Sequence, residues 1–136
     1  MSNSPIAIAR ALHGAIEAGK VGEELRAHFT DDAVIVEHPN SVKPTGAEMS
    51  LDALLEAAKA GASLLARQSY DLREAMEQGD LAVLRLDWTG ELARDAGPLV
   101  QGQVLRAHVA QFVHTRDGRV SRIETYDCYE PFSSGR

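Results

Sequence analysis

Residues 104–130 read VLRAHVAQFVHTRDGRVSRIETYDCYE, two β-rich arms joined by Asp117-Gly118. An Asp-Gly pair between such arms signals a two-residue hairpin, because Gly accepts positive φ and the turn's twist matches the strands. Along a strand, side chains alternate between faces. One set is therefore Arg106, His108, Ala110 and Phe112, and another is Ile123, Thr125, Asp127 and Tyr129. If Asp127 faces inward, the Arg106 set is expected to face inward with it. Arg106, His108 and Asp127 are then either a reacting group or a salt-bridged strut, since a carboxylate and a guanidinium removed from water must pair.

Upstream the same alternation continues. Residues 68–78 and 81–92 read as strands joined by Gly79-Asp80, with Leu84, Leu86 and Trp88 on one face. Residues 95–102, with Gly97-Pro98, form a loop. Before Arg67 the period is helical. Ser50 caps a helix whose apolar positions include Leu54, Leu55 and Ala58, and Ser4-Pro5 opens a first helix with Ile8, Leu12 and Ile16 in one stripe. Gly19 ends that helix, and Val21, Leu25 and Phe29 mark a short second one. Thr30-Asp31-Asp32 reads as a turn, residues 33–37 as a short strand stopped at His38-Pro39, and residues 40–48 as a loop. Three helices and a run of long antiparallel strands make an α+β chain, expected as a curved sheet wrapped around the helices into a cone with a hollow. Residues 1–136 are expected to form one domain.

The formal net charge of −6 argues against nucleic acid or an anionic membrane as partner, since both need a basic footprint. Cys128, the only cysteine, has no internal partner, and the chain carries no apolar run long enough for a membrane span. A cytoplasmic protein is expected. Leu105, Val109 and Val113, placed on the outer face of the sheet, would need cover, which predicts a homodimer through that face. The histidines show no His-Glu-x-x-His spacing, and there is no Gly-rich phosphate loop, so neither a metal nor a cofactor is expected.

Several strings in this order resemble the nuclear transport factor 2-like superfamily, within it the SnoaL-like and ketosteroid-isomerase-like branch. They are AHFTDDA at residues 27–33, Glu37-His38-Pro39 with the Gly46 loop, and Asp117-Gly118-Arg119 leading to Tyr126 through Phe132. The resemblance implies a cystatin-like roll around an apolar pocket. It puts His38 where ketosteroid isomerases carry a proton-abstracting Asp. Arg106 and His108 stand at an Arg-x-Asp pair of limonene-epoxide-hydrolase-like members, and Asp127 at the inward acid of SnoaL-like cyclases. Leu12 replaces the oxyanion-stabilising Tyr of the isomerases, which speaks against steroid isomerisation by their route.

The expected catalytic set is thus His38, His108, Asp127 and Arg106. Trp88, Phe112, Thr125, Tyr129, Leu12 and Leu54 are the expected ligand wall. An imidazole titrates near neutrality and can take and return a proton. The expectation is cofactor-free acid-base chemistry on a small cyclic molecule, as an isomerase, cyclase, dehydratase or hydrolase. The alternatives are a dimeric module that only binds a hydrophobic ligand, or a dimerisation domain that fills its own pocket.

Overall fold

The computed structural model describes residues 4–132. Helix α1 spans Pro5–Glu17 and α2 Gly22–Arg26, followed by strands β1 (Phe29–Glu37) and β2 (Ala47–Ser50). Helix α3 (Leu51–Leu64) leads into β3 (Leu65–Gln78), β4 (Leu81–Leu92), β5 (Val104–Arg116) and β6 (Arg119–Tyr129). The helix starts follow from their caps: Ser4 Oγ accepts from the Ala7 N–H at 3.1 Å, and Ser50 Oγ from the Ala53 N–H at 3.2 Å. Gly19, with φ of 77°, lets the chain turn off α1.

The six strands form one curved, unclosed sheet in the order β2-β1-β6-β5-β4-β3. Every neighbouring pair is antiparallel except β1 with β6, which makes the sheet mixed. The helices cover its inner face. Ile8, Ala9 and Leu12 of α1, Leu25 of α2 and Leu51 and Leu55 of α3 join Leu84, Leu86, Val109, Val113 and Ile123 in one buried cluster. This is the α+β architecture expected from the sequence.

Three local expectations need correction. Thr30, Asp31 and Asp32 belong to β1, and the sheet carries them across a register irregularity between Phe29 and Val34. The loop after His38 is shorter than expected, because Ala47–Ser50 pairs with β1 as an edge strand.

The third correction concerns the hairpin. Asp117 (φ 53°) and Gly118 (φ 76°) form the expected turn, with Arg116 opposite Arg119 and Thr115 opposite Val120. The next pair is His114 with Arg122, so Ser121 is an extra residue, a β-bulge. Without it, the turn's register would set His108 opposite Asp127. With it, Val109 stands opposite Asp127, and a one-residue slip exchanges the faces of a strand. Ala107, Val109 and Val113 are consequently buried on the helix side, while Arg106 and His108 are exposed on the outer side and Phe112 faces that way with them. Val109 and Val113 are thus core residues and not part of an outer patch.

Candidate functional site

Between the helices and the inner face of the sheet lie two neighbouring chambers. The inner one, about 260 Å³, runs beneath Leu12, Ile35, Trp88, Val109 and Ile123, with the polar groups of Gln68, Tyr70, Gln111, Thr125 and Asp127. The outer one, about 560 Å³, lies between the end of α1, the α3 residues Ala57, Ala58, Gly61 and Ala62, and the start of β3. Ile16, Phe29, Glu37, Met49, Leu54, Gln68 and Tyr129 line both.

Asp127 is the acid of the inner chamber. Its Oδ1 accepts from Thr125 Oγ1 at 2.7 Å. Burial raises its carboxyl above the ordinary range; the Thr125 bond opposes this, the Glu37 charge adds to it, and Lys43 opposes it weakly. A second carboxylate, Glu37, ends β1 on the same face, since Glu37 pairs in parallel with Thr125 and Ile35 with Ile123. Its Oε2 accepts from Asn40 Nδ2 at 2.8 Å and its Oε1 faces Lys43 Nζ at 3.4 Å.

The loop after β1 is folded by Asn40, whose Oδ1 accepts from the Val42 and Lys43 N–H groups at 2.9 Å each. Gly46 closes it at φ of 68°, so near the strand end that an added Cβ would lie 2.6 Å from the Glu37 carbonyl oxygen. This fold holds Lys43 over Glu37.

Two phenols complete the lining. Burial pushes the Tyr70 and Tyr129 hydroxyls well above the ordinary tyrosine value, and the Asp127 charge pushes both further. They therefore stay protonated donors. Trp88 meets Tyr129 edge to face with ring centroids 6.1 Å apart, and Tyr129 meets Phe132 in the same way at 5.6 Å. The indole needs room: a Cβ on Gly90 would lie 2.6 Å from two carbons of the Trp88 ring.

Of the ten residues expected from sequence, the structure brings six to the cavity: Asp127, Thr125, Tyr129, Trp88, Leu12 and Leu54. The other four are elsewhere. His38 follows Glu37 and so turns to the outer face, where its Nε2–H donates to Glu124 Oε2 at 2.7 Å and its ring stacks on Tyr126 at 4.3 Å. Phe112 packs edge to face against the same Tyr126.

His108 lies between Asp87 and Glu130, with Nδ1 and Nε2 each 2.9 Å from a carboxylate oxygen. Both ring nitrogens must donate there, and Asp87 followed by Glu130 raises the imidazole pKa above its ordinary value. Arg106 is exposed on that face. No dyad of His108 and Asp127 exists.

Polar residues of the cavity outside the expected set include Glu37, Lys43, Gln68 and Gln111. Glu37 had a usable signal, because Ala33, Ile35 and Glu37 alternate on one face and His38 on the other. His13, in the buried stripe of α1 directly after Leu12, lines neither chamber but reaches the inner one through its bond to Gln111. Among the described residues no group of three or more His, Cys, Asp or Glu side chains is arranged to hold a metal ion, and no helix is long and apolar enough to cross a membrane.

Comparison with known proteins bears on these features. Residues 9–123 match the family described as SnoaL-like domain. No curated protein matches the chain in sequence. Among solved structures, IdmH of Streptomyces antibioticus, a candidate polyketide cyclase, superposes with a TM-score of 0.75 at 20% identity, over 90% of this chain and 91% of that one. A candidate polyketide cyclase from Xanthomonas campestris gives 0.72 at 17% identity, over 92% of each chain. A protein of ketosteroid isomerase-like fold from Catenulispora acidiphila gives 0.67 at 17%, over 93% of this chain and 87% of that one. At these identities the likeness is one of fold.

Proposed function

The chain belongs to the SnoaL-like domain family, and on that premise we propose that it is a small, cofactor-free acid-base catalyst acting on an apolar, cyclic, carbonyl- or hydroxyl-bearing molecule. The observation that carries this reading is Asp127. A carboxyl whose affinity for protons is raised by burial, at the wall of a ligand-sized chamber, is suited to accept and return a proton.

In this reading Asp127 moves the proton and Thr125 fixes its rotamer. The protonated phenols of Tyr70 and Tyr129 offer hydrogen bonds to an oxygen that gains charge in the reaction. Leu12, Leu54 and Trp88 pack on the ligand's apolar body. Glu37, neutralised locally by Lys43 at 3.4 Å, sets the field around Asp127 and lines both chambers. His38, Arg106 and His108, on the outer face, take no part in the chemistry.

The molecule is further proposed to act as one domain, in the cytoplasm, as a homodimer through the outer sheet face. Support for the dimer is that Met76 and Tyr126, both exposed, sit on that face. Sedimentation of Tyr126→Lys against the parent tests it, with a shift to monomer expected.

The test of function is solvent-deuterium incorporation into a panel of cyclic ketones, followed by mass spectrometry. Exchange that is present in the parent, lost in Asp127→Asn and kept in His108→Ala supports the assignment. Exchange that survives Asp127→Asn sinks it. Ligand stabilisation in a melting assay with no turnover of any panel member would make the chain a binding module.

A further inference from the structure

A chain of hydrogen bonds enters the inner chamber from α1. Arg10 Nη1 lies 3.3 Å from His13 Nδ1, and His13 Nε2 lies 2.8 Å from Gln111 Oε1. A guanidinium has no acceptor, so Nδ1 must accept, and the imidazole is then the neutral tautomer with its proton on Nε2. That proton is donated to Gln111, so the atom of Gln111 that receives it must be the carbonyl oxygen. Burial of His13, 2% exposed, favours the same neutral ring, and its face is held by stacking on Tyr70 at 4.7 Å.

The consequence lies at the other end of the carboxamide. Gln111 lines the inner chamber, and its nitrogen has no hydrogen bond to any described residue. Among the described residues no buried side-chain nitrogen or oxygen lacks a partner, so this NH₂ group opens onto accessible space. Gln111 stands opposite Thr125 across the β5–β6 pair, on the same face as Asp127. Gln68 repeats the logic: the Trp88 indole, a donor only, holds its Oε1 at 3.0 Å and leaves its nitrogen to the chambers.

We infer that Arg10 and His13 are positioning residues that lock the Gln111 carboxamide with its NH₂ group toward the inner chamber, where it selects ligands carrying an oxygen acceptor. This rests on the cavity being the ligand site and adds the chemical class of the group recognised there: a carbonyl or similar oxygen, received by a donor that cannot flip to present an acceptor. A free glutamine could satisfy either a donor or an acceptor on the ligand; a locked one discriminates.

The probes are 1-tetralone and its hydrocarbon counterpart tetralin, with affinity from calorimetry and the ketone stretch from infrared difference spectra. The parent should prefer the ketone by roughly three- to tenfold, the worth of one net hydrogen bond, and shift its stretch to lower wavenumber. Gln111→Met should keep tetralin binding and lose both the preference and the shift. His13→Phe, which keeps a ring on Tyr70, should lose them too with Gln111 intact. If that variant does not fold, Arg10→Met replaces it, and nitrogen NMR reads whether His13 leaves the Nε2–H tautomer. Survival of preference and shift in Gln111→Met, or in the relay variant, overturns the inference and leaves the cavity reading standing. So does a parent that binds the two probes equally. A parent that binds neither probe overturns both.

Discussion

Thr125 Oγ1 donates to Asp127 Oδ1 at 2.7 Å from two residues back on the same face of β6. The bond holds the carboxyl at the chamber wall, where burial makes its charged form unfavourable. The folded pKa therefore exceeds the unfolded one. The folded state binds more protons between the two values, and this group lowers stability as pH rises through that window. Asp127→Asn keeps an acceptor for Thr125 and removes the charge. It is expected to abolish turnover and to raise the melting temperature at neutral pH. The gain in Tm should vanish in acid below the ordinary carboxylate range, which calorimetry across pH checks.

Gly90→Ala is expected to move Trp88. The new methyl carbon would lie 2.6 Å from the indole carbons, and Leu65 Cδ2, at 3.2 Å, leaves little room on the other side. The ring must swing away from its contact with Gln68 and Tyr129. A shifted emission maximum of this sole tryptophan, together with weaker binding of apolar ligands, is the expected outcome.

Gly46→Ala combines a left-handed backbone with a contact to the Glu37 carbonyl. Both act on the loop that carries Asn40 and Lys43. A loss of about 1–3 kcal/mol is expected in denaturant unfolding, typical of strain at a special backbone position. Gly61→Ala serves as its control. There an added Cβ meets nothing within 4 Å, and the substitution should stabilise α3 by about 0.5–1 kcal/mol.

His108→Ala is expected to leave turnover unchanged, since the ring is on the face opposite Asp127. Its effect is on pH-dependent stability. Asp87 and Glu130 raise the imidazole's folded pKa above the unfolded value. The parent's advantage over the variant should be complete below about pH 6.5, the ordinary histidine value, and should disappear as pH rises through the folded value. Paired urea titrations at acid and alkaline pH check the direction.

The fold was legible because its signals are local. Ser4-Pro5, Ser50, Gly79-Asp80 and Asp117-Gly118 each mark an element boundary by a backbone requirement that few residues meet. Asp127 and Thr125 could be placed in one set because they share a strand. The set on the neighbouring strand could not, since the facing of β5 depends on its register with β6, and no residue type at Ser121 announces a bulge. His38 has the chemistry and the neighbouring proline of a site residue, but the alternation that buries Ile35 gives the inward position to Glu37. His13 and Gln111 are 98 residues apart in the chain. Only the packing of α1 on β5 makes them a pair.

Ser121 can also be seen as a choice that one sequence makes between two cavities. Because it is the one residue by which β6 exceeds the register of its turn, pairing it in place of bulging it would exchange what β6 offers the cavity, while the unbroken pairing with β4 holds β5 in place. Asp127 and Thr125 would turn to the surface beside His108 and Ala110, and Glu124 and Tyr126 would turn toward the cavity opposite Gln111 and Val109. Two folded forms that differ by that one bulge would share every residue and present unrelated chemistry to a ligand.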